Sequence, residues 1–379
     1  MMRLDESVAN DEGPGTPRAE RIADADRYSR QILFPGIGPT GQQRLAGSHV
    51  ALVGCGATGA AAAALLARAG VGRLTLIDRD FVEPSNLQRQ MLFDESDARD
   101  ALPKAEAARR QIARFNSGIT VHARTADLVP GNIAELLRPP ENPPEIVLDA
   151  TDNFETRYLI NDFSVQQGVP WIYAAAIGAY AATMNVLPLA PEAGYEPTAC
   201  LACVFPEAPA GAVETCDTSG ILATAVNLVA SLQVTEALKF LTGQAQAMRR
   251  TLLSFELWTT APGGRLEQSE IAAGTPRAGC SVCGERRFRH LEGAGRPHIT
   301  LCGRDSVQIH EHHRPVDFAV LSARLRGHAD VQDLRSNDLL LRFRRGGQTI
   351  TVFPDGRALI QGTTDATVAR TLYARFLGS

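Results

Sequence analysis

Excess positive charge is missing from this chain: 38 lysines and arginines stand against 42 aspartates and glutamates, for a formal net charge of −4. That balance argues against general binding to nucleic acid or to an anionic membrane, because both need a basic surface. A long unbroken apolar run is missing too. The nearest approach, Ile221 to Leu241, is interrupted by Asn227, Gln233, Glu236 and Lys239, the pattern of a buried helix at a domain or subunit interface. The first residues lack a basic and apolar leader; they are polar and acidic and contain proline and glycine. Cysteine is sparse and odd in number, seven in all, which does not fit a disulfide framework. These absences predict a cytoplasmic protein whose cysteines serve metal or thiol chemistry. What remains is an ordinary globular composition, 44% hydrophobic, over 379 residues. That is enough for one large α/β domain and a small one.

The chain is organised around His49 to Gln90. Val50 to Val53 reads as a strand running into Gly54-x-Gly56-x-x-Gly59, then an alanine-rich helix to Ala69 with Gly70 at its C-cap. A second strand over Leu74 to Ile77 ends at Asp78. That acid stands nineteen residues beyond Gly59, where a nucleotide-binding βαβ unit places its ribose-binding acid. A glycine turn alone also serves packing, but strand, helix, second strand and terminal acid together point to a nucleotide. The glycines would allow the tight turn, the approach of phosphate to the backbone and the close seat of helix on sheet, while the helix N-terminus offers amides to an anion. NAD is the ordinary ligand of such a unit. The polar run from Asp78 to Gln90, DRDFVEPSNLQRQ, has no evident use in a dehydrogenase. It suits a triphosphate site in which Arg89 neutralises phosphate while Asp80 and Asn86 fix geometry.

A second buried strand, Ile146 to Leu148, ends in Asp149 and Asp152. Ligands of open α/β sheets sit beyond the carboxyl ends of the strands, so Asp152 would face the same crevice as Gly56 and Asp78. The plainer reading is a cap for the helix from Asn153 to Gln167, made by Asp149 or Thr151. Lys104, after Pro103, opens a helix to Phe115 and by itself reads as a surface residue. Cys200-x-x-Cys203 and Cys280-x-x-Cys283 are two knuckles that together predict a structural tetrahedral Zn²⁺ site. Cys216 lies on a Gly- and Pro-containing loop beside a helix start, where amide dipoles lower a thiol pKa and Asp217 opposes them. Cys55 and Cys302 read as packing residues, and His310, His312 and His313 as a solvated loop. Past Arg296 the pattern is βαβββα, with a hairpin turn at Pro354-Asp355-Gly356.

The stretch IDRDFVEPSNLQRQ resembles the ThiF/MoeB/HesA adenylyltransferases, bacterial relatives of ubiquitin-activating enzymes. Arg27-Tyr28-Ser29-Arg30-Gln31 and the run from Asp149 to Arg157, DATDNFETR, extend the likeness, with Ala150 where the family commonly has cysteine. It spans Arg27 to Cys283. The resemblance implies a Rossmann-like, mostly parallel sheet with helices on both faces, ATP and Mg²⁺ as cofactors, and a homodimer. Arg30 would reach the triphosphate of the neighbouring subunit, and Lys104 would lie against the phosphates. A carboxylate beside a triphosphate is repulsive unless a cation lies between them, which makes Asp152 a candidate Mg²⁺ ligand. The family has a cysteine at the position of Cys216, which in one branch links covalently to the carrier. The implied activity is adenylation of the C-terminal glycine of a ubiquitin-like sulfur carrier ending in Gly-Gly. A persulfide donor then converts it to a thiocarboxylate for thiamine or molybdopterin-type synthesis. A relative that adenylates a peptide would share every motif; an NAD-dependent oxidoreductase is a second alternative, and a non-catalytic zinc-stabilised scaffold, disfavoured because each phosphate-handling residue is intact, is the third. The implied division is a disordered tail over 1–26, the adenylyltransferase domain over 27–295 and a small α+β domain over 296–379.

Overall fold

Strands and helices alternate through the first half of the chain, and such alternation builds a parallel sheet covered on both faces. The computed structural model describes residues 24–190, 194–207, 219–259, 266–293, 300–301, 306–309, 315–337, 340–354 and 356–377. Residues 1–23, Cys216, Cys302, His310, His312, His313 and Asp355, on which sequence readings fall, lie outside these. The first sheet comprises β1 (His49–Val53), β2 (Arg73–Ile77), β3 (Thr120–Arg124), β4 (Ile146–Asp149), β5 (Trp171–Ile177), β6 (Tyr180–Val186), β7 (Thr251–Glu256) and β8 (Glu267–Ala272). Their order is β3-β2-β1-β4-β5-β6-β7-β8. The strands from β3 across to β5 are parallel, and β5 to β8 pair antiparallel. Val53 stands level with both Ile77 and Asp149, so β1, β2 and β4 end at one edge. That edge is where the glycine turn, Asp78 and Asp152 meet.

The helices that matter are α1 (Gly38–Gly47), α2 (Ala57–Ala69), α3 (Lys104–Phe115), α4 (Phe154–Gln167) and α5 (Ala223–Leu241). Side chains alternate across the sheet as the strand period requires. Val50, Leu52, Leu74, Leu76, Ile146 and Leu148 bury against α1, α2, α3 and α5. Ala51, Val53, Ile77, Val147 and Trp171 bury against α4. The interrupted apolar run is therefore α5, a helix packed on the sheet. Its Gln233 donates to the carbonyls of Asp149 and Ile172 at 2.7 and 2.8 Å, and its Glu236 accepts from Asn185 at 2.7 Å. Among the described residues no helix is long and apolar enough to cross a membrane.

A second sheet contains β9 (Thr300–Leu301), β10 (Ser306–Ile309), β11 (Gln332–Ser336), β12 (Leu341–Arg345), β13 (Gln348–Val352) and β14 (Ala358–Gln361), in the order β11-β12-β13-β14-β10-β9, antiparallel throughout. Helices α6 (Phe318–Arg326) and α7 (Ala366–Leu377) cover one face, where Leu321, Leu325, Leu372 and Phe376 pack on Phe343, Ile350, Val352 and Ile360. The expected βαβββα pattern omits β9 and β11. The second is charged and largely exposed, so it carries no apolar alternation. The opposite face presents Leu340, Phe353 and Leu359, which pack on Phe81 and Ala101 of the first unit.

Candidate active site

The three glycines divide their work. Gly54 adopts φ 91, and a Cβ there would stand 2.7 Å from the Ala150 carbonyl oxygen. A Cβ on Gly59 would fall on the carbonyl oxygen of Gly54, so this glycine lets α2 sit close to the turn. Gly56 is different: a Cβ there would meet nothing within 4 Å. It is the N-cap of α2 and offers no side-chain acceptor to the amides of the first turn. Space and unanswered N–H groups coincide at Gly56, which is what an anion needs.

Asp78 completes the turn from the next strand. Its Oδ2 accepts the Cys55 N–H at 2.5 Å and its Oδ1 the Asp80 N–H at 2.7 Å. Burial raises its pKa, and the Lys104 ammonium opposes that shift. Cys55 itself is buried in the core, as expected of a packing residue, and burial raises its thiol pKa. Lys104 is not a surface residue: it is 3% exposed, with Nζ 3.1 Å from Asp80 Oδ2, and its N–H donates to the Asp80 carbonyl at 2.8 Å. The contacts Cys55–Asp78–Asp80–Lys104 thus run unbroken from glycine turn to ammonium.

Asn86 is fully buried. Its side chain accepts the Glu83 N–H at 3.1 Å while Glu83 caps the short turn Pro84–Asn86, so it shapes the loop that carries Arg89. Arg89, half-buried, donates to the Ser85 carbonyl at 2.8 Å.

At the end of β4, Asp149 is buried and paired with Arg157 at 3.3 Å; its Oδ1 accepts from the Thr151 amide at 2.9 Å and hydroxyl at 2.7 Å. Burial raises the Asp149 pKa against the pull of Arg157. The capping reading is corrected here. Asn153 caps α4 by accepting from Thr156 N–H at 2.8 Å, while Asp149 is spent on Thr151 and Arg157. Asp152 is left exposed at the crevice. Sequence reasoning missed Arg79. It pairs with Asp127 at 3.2 Å and approaches Asp80 at 3.9 Å. Burial works against its charge, but Asp127, Asp80, Asp152 and Asp78 outweigh it and raise its pKa. Its only mark in the sequence is its place between two acids at a strand end, which a solvated charge run shares.

The four predicted zinc ligands also converge. Cys200 Sγ lies 3.8 Å from Cys203 and 3.7 Å from Cys280, and Cys203 Sγ lies 3.4 Å from Cys283. All four sulfurs are within 4.8 Å of one another. A tetrahedron of Zn–S bonds of about 2.3 Å has edges of about 3.8 Å, so the donor set fits a metal.

Residues 28–282 match the ThiF family. The chain belongs to that family, one of ATP-using adenylyltransferases. A sulfur carrier protein ThiS adenylyltransferase from Bacillus subtilis is 40% identical over 355 residues, 93% of this chain and 99% of that protein. The likeness therefore reaches into the second sheet. A SAMP-activating enzyme E1 from Haloferax volcanii is 36% identical over 268 residues, 70% of this chain and 92% of that one. The crystal structure of E. coli MccB with ATP has a TM-score of 0.55 at 22% identity, covering 68% of this chain and 74% of that chain, a likeness of fold.

The ThiF-family chain holds its leading RYSRQ segment by three of its five residues. Arg27 donates to the Phe115 carbonyl at 2.6 Å, Tyr28 OH accepts from Asn116 at 2.9 Å, and Gln31 donates to the Ala69 carbonyl at 2.7 Å. Arg30 is left outward and exposed, beside Leu33 and Phe34, which are 70% and 61% exposed.

Proposed function

We propose that the chain adenylates the C-terminal glycine carboxylate of a ubiquitin-like sulfur carrier ending in Gly-Gly. The observation that carries this reading is the open, amide-lined space at Gly56, tied through Asp78 and Asp80 to Lys104. It lies in a chain alike to a ThiS adenylyltransferase over nearly its whole length. The carboxylate is ionised at neutral pH and needs no base. Its oxygen attacks the α-phosphorus of ATP, the bond to the bridging oxygen breaks, and pyrophosphate leaves with its electron pair. The protein's task is position and charge. Asp78 holds the ribose, the amides at Gly56 and Gly59 receive phosphate, and Lys104 and Arg89 neutralise it. Asp152 would bind Mg²⁺; one exposed carboxylate fits an ion that takes most of its ligands from phosphate and water. Arg79, held among carboxylates, balances that acidic edge.

Arg30 acts on the ATP of the neighbouring subunit, and the exposed Leu33 and Phe34 beside it are the kind of surface a homodimer covers. Zn²⁺ fills the four-cysteine cluster and ties the segment after β6 to the segment after β8. Cys216 is the residue we assign to sulfur handling, with a persulfide protein as donor. The chain works in the reducing cytoplasm and divides at residue 296. An NAD-dependent oxidoreductase would have no use for Lys104 and Arg89 at this crevice. Incubating the protein with ATP, Mg²⁺ and a small carrier tests the proposal by intact mass. The carrier gains one adenylate, and a carrier lacking its last glycine gains none. Adenylate on a short peptide but not on the carrier would shift the reading to peptide adenylation.

A further inference from the structure

We propose that the second sheet is a positioning element of the nucleotide site, so that its docking and ATP binding are coupled. This rests on the ATP site alone and not on the identity of the carrier. The sheet grips two segments that carry residues assigned to ATP and a third that is bonded to Asp78. In the loop after β2, Phe81 is 1% exposed among Leu340, Phe353 and Leu359, and the Arg342 guanidinium lies over its ring, 4.9 Å from the centroid. Two residues on, Gln361 Nε2 donates to Glu83 Oε1 at 3.2 Å. Glu83 is the side chain that caps the turn ending in Asn86, just ahead of Arg89.

In the segment leading to Lys104, Ala101 joins the same apolar cluster in a left-handed conformation, φ 49, and Arg335 donates to the Arg99 carbonyl at 3.4 Å. At the exit of β3, Arg357, 1% exposed, donates to the Thr125 carbonyl at 3.2 Å and stacks over Phe353. The next residue, Ala126, donates its N–H to the carbonyl of Asp78 at 3.2 Å. Apart from the Arg335 contact at Arg99, each grip falls within three residues of a residue assigned to ATP or of one bonded to it.

Polar loops ordered only when ligand arrives charge that ordering against affinity, whereas loops ordered beforehand do not. A buried guanidinium and a left-handed alanine are costly ways to attach a domain. They are explicable where exact placement of the neighbouring loop is what matters. By reciprocity, whatever docking adds to ATP affinity, ATP adds to docking. Gln361, Arg342 and Arg357 are then positioning residues that act through Glu83, Phe81 and Thr125.

The test uses the full chain and a non-hydrolysable ATP analogue, without carrier. Gln361→Ala and Arg342→Gln keep the apolar contact at Phe81, and each should weaken analogue binding by calorimetry about 2- to 12-fold, the range for one lost hydrogen bond or comparable contact. In a separate assay with the carrier present, the KM for ATP in pyrophosphate exchange should rise by the same factor with kcat nearly constant. Arg375→Ala, which removes a cation from the far face of α7, should leave affinity unchanged. In the unaltered protein the analogue should slow hydrogen exchange of the amides over 340–361. Lower melting temperatures with unchanged analogue affinity, or exchange over 340–361 indifferent to the analogue, would show a sheet that is merely attached and overturn the proposal. Failure of the unaltered chain to bind the analogue would overturn the ATP site itself.

Discussion

Gly56→Ala isolates the anion-binding function of the turn from its folding function. The new methyl group points into space with no atom within 4 Å, at φ −71, so neither clash nor a left-handed backbone penalises it. Its only structural cost is the poorer N-cap, about 1 kcal/mol or less, which lowers the melting temperature by no more than about 4 °C. The same methyl group occupies the place where phosphate must approach the first amides of α2. Losing one charge-assisted hydrogen bond is worth about 1.5–3 kcal/mol, a loss of roughly 10- to 150-fold in ATP affinity. Gly59→Ala supplies the contrast. Its Cβ meets the Gly54 carbonyl, backbone on backbone, and the strain should cost about 1–3 kcal/mol or more of stability. Calorimetric titration with ATP beside thermal unfolding of both variants makes the comparison. ATP affinity within twofold of the unaltered protein in Gly56→Ala would refute the placement of phosphate at this turn.

Mixing Arg30→Ala with Asp152→Ala protomers should restore about a quarter of wild-type activity, because half of the dimers are mixed and one of their two sites is whole. No recovery after subunit exchange would place Arg30 in its own subunit's site. Metal analysis should find one zinc per chain, and a chelator that removes it should lower the melting temperature, whereas Cys280→Ser should prevent stoichiometric binding. Asp162, fully buried with Oδ2 accepting from the His290 N–H at 2.9 Å, has its carboxyl pushed up by burial to about 6. The folded state therefore holds a proton that the unfolded state, near 3.8, has released. Stability should fall as pH rises through the window between those values and stay lower above it, by about 3 kcal/mol. Asp162→Asn should flatten that fall in denaturant midpoints measured at either end of the window; an unchanged slope would assign it to other groups.

The glycine turn was legible because a change of hydrophobic period, three glycines and a terminal acid all lie within a single supersecondary unit. The cysteine knuckles were legible for a similar reason: each half carries its own spacing, and only their meeting is tertiary. Arg79 was not legible, since an arginine between two acids looks like any solvated charge run until β3 brings Asp127 beside it. Lys104 read as a surface lysine on local grounds, and only its burial against Asp80 shows otherwise. Strand β8 escaped notice because every one of its residues is exposed at the sheet edge, leaving no alternation. The contact between the two sheets was hidden as well. β13 and β14 bury both faces, so Phe353 and Leu359 looked like part of a continuous apolar run and gave no sign of a separate docking surface.

The most direct test of the central claim is exchange of radiolabelled pyrophosphate into ATP by the purified protein, with and without a carrier ending in Gly-Gly. The account predicts exchange that requires the carrier and is lost in Asp152→Ala and Lys104→Met. Absence of exchange with any carrier, together with tight binding of NAD at the glycine turn, would contradict it.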